Sequence, residues 1–84
     1  MYKVKITKSA YKQLHKYDLN TFLRIFNGIA QLANNPFDEQ QNAKKLIGYE
    51  GYRLPIGDYR ILYTIDVKNE ELQIKVIAHR KNAY

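Results

Sequence analysis

The chain has 84 residues, 45% hydrophobic and 26% charged, with 14 Lys+Arg against 8 Asp+Glu for a net charge of +6. That is the balance of one small globular domain, residues 1–84, and not of a disordered chain. With no cysteine and only two histidines, a disulfide scaffold, a zinc ribbon and a thiol nucleophile are excluded, and neither a protein-built metal site nor a cofactor is expected. No apolar run approaches the roughly 18 residues of a membrane span, and the first residues lack a secretory apolar segment. The expectation is a cytoplasmic protein, away from membranes, whose charge suits an anionic partner.

Tyr2-Lys3-Val4-Lys5-Ile6-Thr7 alternates apolar and basic, predicting a half-buried strand with Tyr2, Val4 and Ile6 inward and Lys3 and Lys5 in solvent. Ser9 is placed to cap a helix running through Asp18, on which Ala10, Leu14 and Tyr17 recur at helical spacing. Lys8, Lys12 and Lys16 follow an i, i+4 line on another face. Asp18 and Asn20 offer a second cap. Phe22, Ile25, Phe26, Ile29, Leu32 and Ala33 then form the broad apolar stripe of a second helix, stopped by Asn34-Asn35-Pro36. So short a connection predicts an antiparallel helical hairpin. Residues 35–43 read as a polar loop.

From Lys44 the period becomes two. Tyr52, Leu54 and Ile56 alternate with Arg53 and Pro55, and Gly57-Asp58 fits a two-residue hairpin turn with glycine first. Tyr59, Ile61, Tyr63, Ile65 and Val67 make the apolar face of the next strand; Lys68-Asn69-Glu70-Glu71 is a second turn; Leu72, Ile74, Val76 and Ala78 make the apolar face of the last strand. The order β-α-α-β-β-β describes an α+β domain with a helical hairpin on one face of a mainly antiparallel sheet. The first turn sets Pro55 opposite Arg60 and Arg53 opposite Leu62. Pairing Val67 with Leu72 sets Ile61 against Ala78, Tyr63 against Val76 and Ile65 against Ile74, apolar against apolar throughout. It also sets His79 opposite Arg60 on the uncovered face, beside Arg53, with Leu62 and Ile77 as a floor and Arg80 at the strand end.

Two cations facing each other across a ladder are offset by a phosphate bound between them, since guanidinium matches phosphate oxygens bidentately. A histidine titrates near neutrality and transfers protons, and a tyrosine stacks on an unpaired base. This set suits metal-free RNA cleavage, in which a ribose 2′-OH attacks the neighbouring phosphate while the protein positions and stabilises charge. Taken singly, Arg53 and Arg60 read equally well as solvent-facing strand residues, His79 as structural, Tyr52, Tyr59 and Tyr63 as packing, and the lysines of the first helix as a solvated face. The residues alone therefore support a basic domain suited to nucleic acid.

Gly51-Tyr52-Arg53-Leu54-Pro55-Ile56-Gly57-Asp58-Tyr59-Arg60-Ile61-Leu62-Tyr63, the terminal His79-Arg80-Lys81-Asn82-Ala83-Tyr84, Lys45-Leu46 and the helix start Thr7-Lys8-Ser9-Ala10 carry more. Together they resemble the RelE branch of the RelE/ParE toxin superfamily over essentially the whole chain. The resemblance implies a RelE-like fold and the toxin of a bacterial type II toxin–antitoxin pair. It further implies a ribosome-dependent mRNA endonuclease that enters the A site, needs no metal or cofactor and halts translation. The implied partners are a small acidic cognate antitoxin, the ribosome with its rRNA, and mRNA. By position, Arg60 stabilises charge on the scissile phosphate, Arg80 is the second arginine, Tyr84 stacks on or acts near the cut nucleotide, and His79 serves as acid or base. Arg53, Lys44 and Lys45 are substrate-binding, and Lys8, Lys12 and Lys16, with Lys3 and Lys5, meet rRNA phosphates. Pro55 stands where many relatives carry a basic residue, which leaves His79, Lys44 or Lys45 as the base. The alternative is a ParE-like DNA gyrase poison without nuclease activity.

Overall fold

The alternating N-terminal residues form a strand, β1 (Lys3–Ile6), followed by α1 (Lys8–Leu14), α2 (Leu19–Asn34), a two-residue strand β2 (Lys44–Lys45), then β3 (Tyr52–Ile56), β4 (Tyr59–Asp66) and β5 (Glu71–His79). This computed structural model describes residues 1–38, 43–46 and 50–81. The sheet order is β1-β5-β4-β3-β2, with β1 parallel to β5 and every other pair antiparallel. The predicted α+β class stands, with one short edge strand, β2, added.

Thr7, not Ser9, caps α1. Its Oγ1 accepts from the Ala10 amide at 3.2 Å and donates to the Lys75 carbonyl at 2.9 Å, tying the helix start to β5. The helix ends at Leu14, four residues before Asp18, because the next amides tighten: Lys16 bonds back to Gln13 (3.1 Å) and Tyr17 to Leu14 (3.4 Å), three residues instead of four. Lys16 and Tyr17 thus lie beyond the helix. In α2 the buried stripe is Ile25, Ile29, Leu32 and Ala33. Phe26 is 54% exposed, against expectation, because it lies 100° around the axis from Ile25; it stacks on Phe22 at 6.3 Å instead. The most deeply buried side chains are Tyr63, Ile25, Leu32, Ile61, Leu72 and Ile74, each aliphatic one contributing roughly 1.5–3 kcal/mol. With Ala10 and Leu14 of α1 and Leu54 of β3, they join both helices to β3, β4 and β5 in a single cluster.

The first hairpin has the expected register: Pro55 faces Arg60 and Arg53 faces Leu62. Gly57 has φ +57, while Asp58 has no positive φ, the type II′ signature. The closing pair Ile56–Tyr59 exchanges the ladder bonds and the next pair does not, so Pro55 removes no donor that β4 needs.

The second hairpin differs. The turn is Val67–Glu70, one residue earlier than expected, so Ile65 pairs with Leu72 and Tyr63 with Ile74. A β-bulge then intervenes: Leu62 pairs with Val76, leaving Lys75 as the extra residue. Beyond it the faces of β5 exchange. Ile77 is buried (2% exposed) against Ile61, Val76 is 41% exposed, Ala78 faces Arg60, and His79 pairs with Tyr59 instead of Arg60. The expected floor of Leu62 and Ile77 is in fact Leu62, Val76 and Ala78.

Candidate nucleic-acid interface

Directly opposed residues share a face, and side chains alternate along a strand. From the observed register, the face away from the helices carries Lys44, Arg53, Leu62 and Val76 in one row and Pro55, Arg60 and Ala78 in the next. Lys44, Arg53, Pro55 and Arg60 line a hollow of about 300 Å³. Farther along the same face the rows become Thr64 and Gln73, then Asp66 and Glu71, with Lys5 paired to Glu71 at 3.5 Å. The carboxylates of these rows, Asp66 and Glu71, therefore lie at the end away from the Gly57-Asp58 turn, interleaved with Lys3, Lys5 and Lys75. Larger hollows exist, one of about 660 Å³ between α2 and β3 and one of about 610 Å³ at the Asp66 end. Neither has the concentration of cationic side chains that phosphate recognition requires.

The Gly57-Asp58 turn holds both site arginines. Arg60 Nη1 donates to the carbonyls of Gly57 (3.1 Å) and Tyr59 (2.9 Å), so the guanidinium curls back over the turn. Arg80 follows β5; its amide donates to the Asp58 carbonyl at 2.7 Å, and its Nε lies 3.6 Å from Asp58 Oδ1. Arg60 and Arg80 thus contact the same turn, whereas His79, expected opposite Arg60, does not face it. Arg24 reaches the same turn from α2: a β-carbon on Gly57 would stand 2.5 Å from its Nη2.

The other expected site residues divide. Arg53 and Lys44 face each other in the hollow, whereas Lys45 pairs with Tyr52 and points to the opposite face. His79 leaves the arginine face and sits at the rim of the core, its ring edge-on to Tyr59 at 5.3 Å, with Tyr59 against Tyr17 at 4.8 Å. Its Nδ1 accepts from the Lys81 amide at 3.2 Å, which places the proton of the neutral ring on Nε2. Burial pushes the Tyr17 hydroxyl above the ordinary tyrosine range; the hydrogen bond from Gln13 (3.1 Å) opposes this. Lys8 and Lys12 are exposed on α1, across the sheet from the hollow, and Lys16 is exposed beyond the helix end. Tyr84 lies outside the described residues. Sequence reasoning treated Asp58 as turn chemistry only and passed over Arg24. The signal for Asp58 was its place between glycine and Arg60, with Arg80 expected on the neighbouring strand.

The family model described as "ParE toxin of type II toxin-antitoxin system, parDE" matches residues 4–84. The chain belongs to this toxin family. It is a type II toxin–antitoxin toxin of the RelE/ParE superfamily, as the sequence resemblance implied. Among solved structures, the archaeal RelE of the RelE–RelB complex from Pyrococcus horikoshii OT3 superimposes with a TM-score of 0.81 at 29% identity, covering 98% of both chains. The toxin–antitoxin complex RelBE2 of Mycobacterium tuberculosis gives 0.81 at 26% identity over 94% of this chain and 98% of that one. The intact Escherichia coli RelBE complex gives 0.80 at 16% identity, over 94% and 96%, a likeness of fold. No curated protein matches the sequence. Among the described residues, no helix of this toxin is long and apolar enough to cross a membrane.

Proposed function

We propose that this toxin is a ribosome-dependent mRNA endonuclease of the cytoplasm, restrained by a cognate antitoxin. The observation that carries the reading is the anchoring of Arg60 and Arg80 on one turn at the lip of a hollow lined by Lys44 and Arg53. Two guanidiniums on one rigid support suit the doubled negative charge of a phosphate under attack. In the proposed reaction the ribose 2′-oxygen attacks phosphorus and loses its proton to a base. The bond to the 5′-oxygen breaks, and that oxygen takes up a proton, leaving a 2′,3′-cyclic phosphate and a 5′-hydroxyl. Arg60 stabilises the pentacovalent phosphorane, Arg80 the departing oxygen, and Arg53 and Lys44 hold the flanking backbone. Lys44, which shares the hollow with Arg53 and Arg60, is the candidate base, with Tyr84 stacking on the cut nucleotide. The exposed Lys8, Lys12 and Lys16 meet rRNA phosphates from the other side. An antitoxin partner accords with the RelE–RelB complexes of Pyrococcus and Mycobacterium, whose toxins this chain resembles.

The test is cell-free translation with added protein and primer extension on the mRNA. New 5′ ends that persist in EDTA once ribosome integrity is controlled for, fall sharply but measurably with Arg60→Ala, and fail to form on mRNA carrying a 2′-deoxy nucleotide at the cut site support the proposal. Undiminished cutting of the deoxy substrate overturns the mechanism. The ParE name of the matching family favours a second reading, a DNA gyrase poison. It predicts a DNA-damage response without translation arrest.

A further inference from the structure

The two arginines are held by different chemistry. Among the described residues, Arg60 is fixed by neutral carbonyls through Nη1 alone, which leaves its charge and its Nε/Nη2 edge for an anion. Arg80 has its backbone fixed by the Asp58 carbonyl and its side chain met at Nε by the Asp58 carboxylate, which leaves the Nη1/Nη2 edge. The Asp58 and Arg80 side chains are 62% and 58% exposed, too solvated for this pair to matter much to stability. Its effect is on aim: without Asp58, the long Arg80 side chain, at a strand end, explores many rotamers.

We propose that Asp58 is the positioning residue for Arg80, and that the Gly57-Asp58 turn presents Arg60 and Arg80 as a single two-guanidinium grip for an RNA phosphate. This rests on the nuclease reading for its substrate and on the turn contacts for its geometry. A carboxylate beside a phosphate site weakens the binding of anions while ordering the arginine, so its removal separates binding from rate. A merely structural residue moves both in the same direction.

The experiment uses the full chain with Asp58→Asn, alone and combined with Arg60→Ala or Arg80→Ala. Binding is measured with an RNA oligonucleotide carrying a 2′-deoxy nucleotide at the cut position, and cleavage in single turnover on mRNA-programmed ribosomes. The Nε–Hε resonances of Arg60 and Arg80 are followed by nuclear magnetic resonance. Asp58→Asn is expected to slow cleavage about tenfold while oligonucleotide affinity stays equal or rises. The loss should be absent on an Arg80→Ala background and undiminished on Arg60→Ala. The Arg80 resonance should shift and that of Arg60 should not. Affinity and rate falling together, equal coupling to both arginines, or an Arg80 resonance unmoved by Asp58→Asn overturns the proposal. The resonance measurement needs no cleavage: a protein that cuts no RNA refutes the nuclease reading, while the Arg80 shift still decides whether Asp58 positions Arg80.

Discussion

Tyr63 is 1% exposed, and its hydroxyl is buried with no hydrogen-bond partner among the described residues. Its ring stacks on Tyr52 at 5.7 Å. A hydroxyl removed from water without a partner costs about 1–3 kcal/mol, so Tyr63→Phe, which keeps the ring, is expected to stabilise the fold by about 1 kcal/mol. For a chain of this size that raises the melting midpoint by roughly 4–8 °C. Burial, and after it the neighbouring Tyr52, pushes the Tyr63 pKa up to about 12 from its ordinary 10. The folded state keeps a proton that the unfolded chain releases, so this contribution to stability is intact below pH 10 and is lost as the pH rises towards 12. Two pH units at about 1.4 kcal/mol each cap the loss at roughly 3 kcal/mol. Urea titrations of wild type and Tyr63→Phe from pH 8 to 11.5 isolate it, since all other tyrosines are common to both: the gap between the two proteins should widen above pH 10. Destabilisation by Tyr63→Phe at neutral pH, or a gap independent of pH, refutes the reasoning.

Gly57→Ala puts an L residue at φ +57, worth about 1–2 kcal/mol, while the Arg24 end it meets at 2.5 Å is flexible and gives way. Gly51→Ala is expected to be the worse of the two in urea midpoint, because at φ +119 its β-carbon would meet the Tyr63 carbonyl at 2.7 Å, and backbone inside the sheet does not yield. Thr7→Ala removes both the α1 cap and the bond to Lys75 O, an expected loss of about 1–2 kcal/mol by thermal or urea unfolding.

How much was legible in the sequence depended on how local the determinant was. The first hairpin was readable because a glycine followed by aspartate between alternating strands permits few alternatives, and everything placed by that turn, Arg53, Pro55 and Arg60 included, is where it was expected. The second hairpin was not. Lys68-Asn69-Glu70-Glu71 is the more polar stretch, yet the turn is Val67–Glu70; the choice is made by Asp66, whose carboxylate accepts from the Asn69 amide at 3.1 Å and side chain at 2.8 Å, and by Glu70 adopting φ 51. The bulge at Lys75 has no glycine to announce it, and Thr7, far away in sequence, takes up its carbonyl. The error in His79 followed from both. Likewise, the i, i+3, i+4 pattern that included Phe26 fixed the helix but not the width of its buried stripe, which depends on how α2 lies across β3.

The bulge also decides what the candidate site contains. An unbulged β5 with the observed turn would bury Val76 and Ala78 and turn Ile77 and His79 outward; it would also send position 80 to the helix side, where an arginine would meet the aromatic rim of Tyr17 and Tyr59. Burying a guanidinium there without a partner costs far more than the exposure of Val76. With the bulge, Ile77 fills the space over Ile61, the His79 ring lies against Tyr59, and Ala78 gives Arg60 a small neighbour. Residue 80 then follows on the same face as residue 78. The convergence of Arg60 and Arg80 is therefore a consequence of packing beneath the sheet, and a substitution that alters the bulge should disturb the grip without touching either arginine.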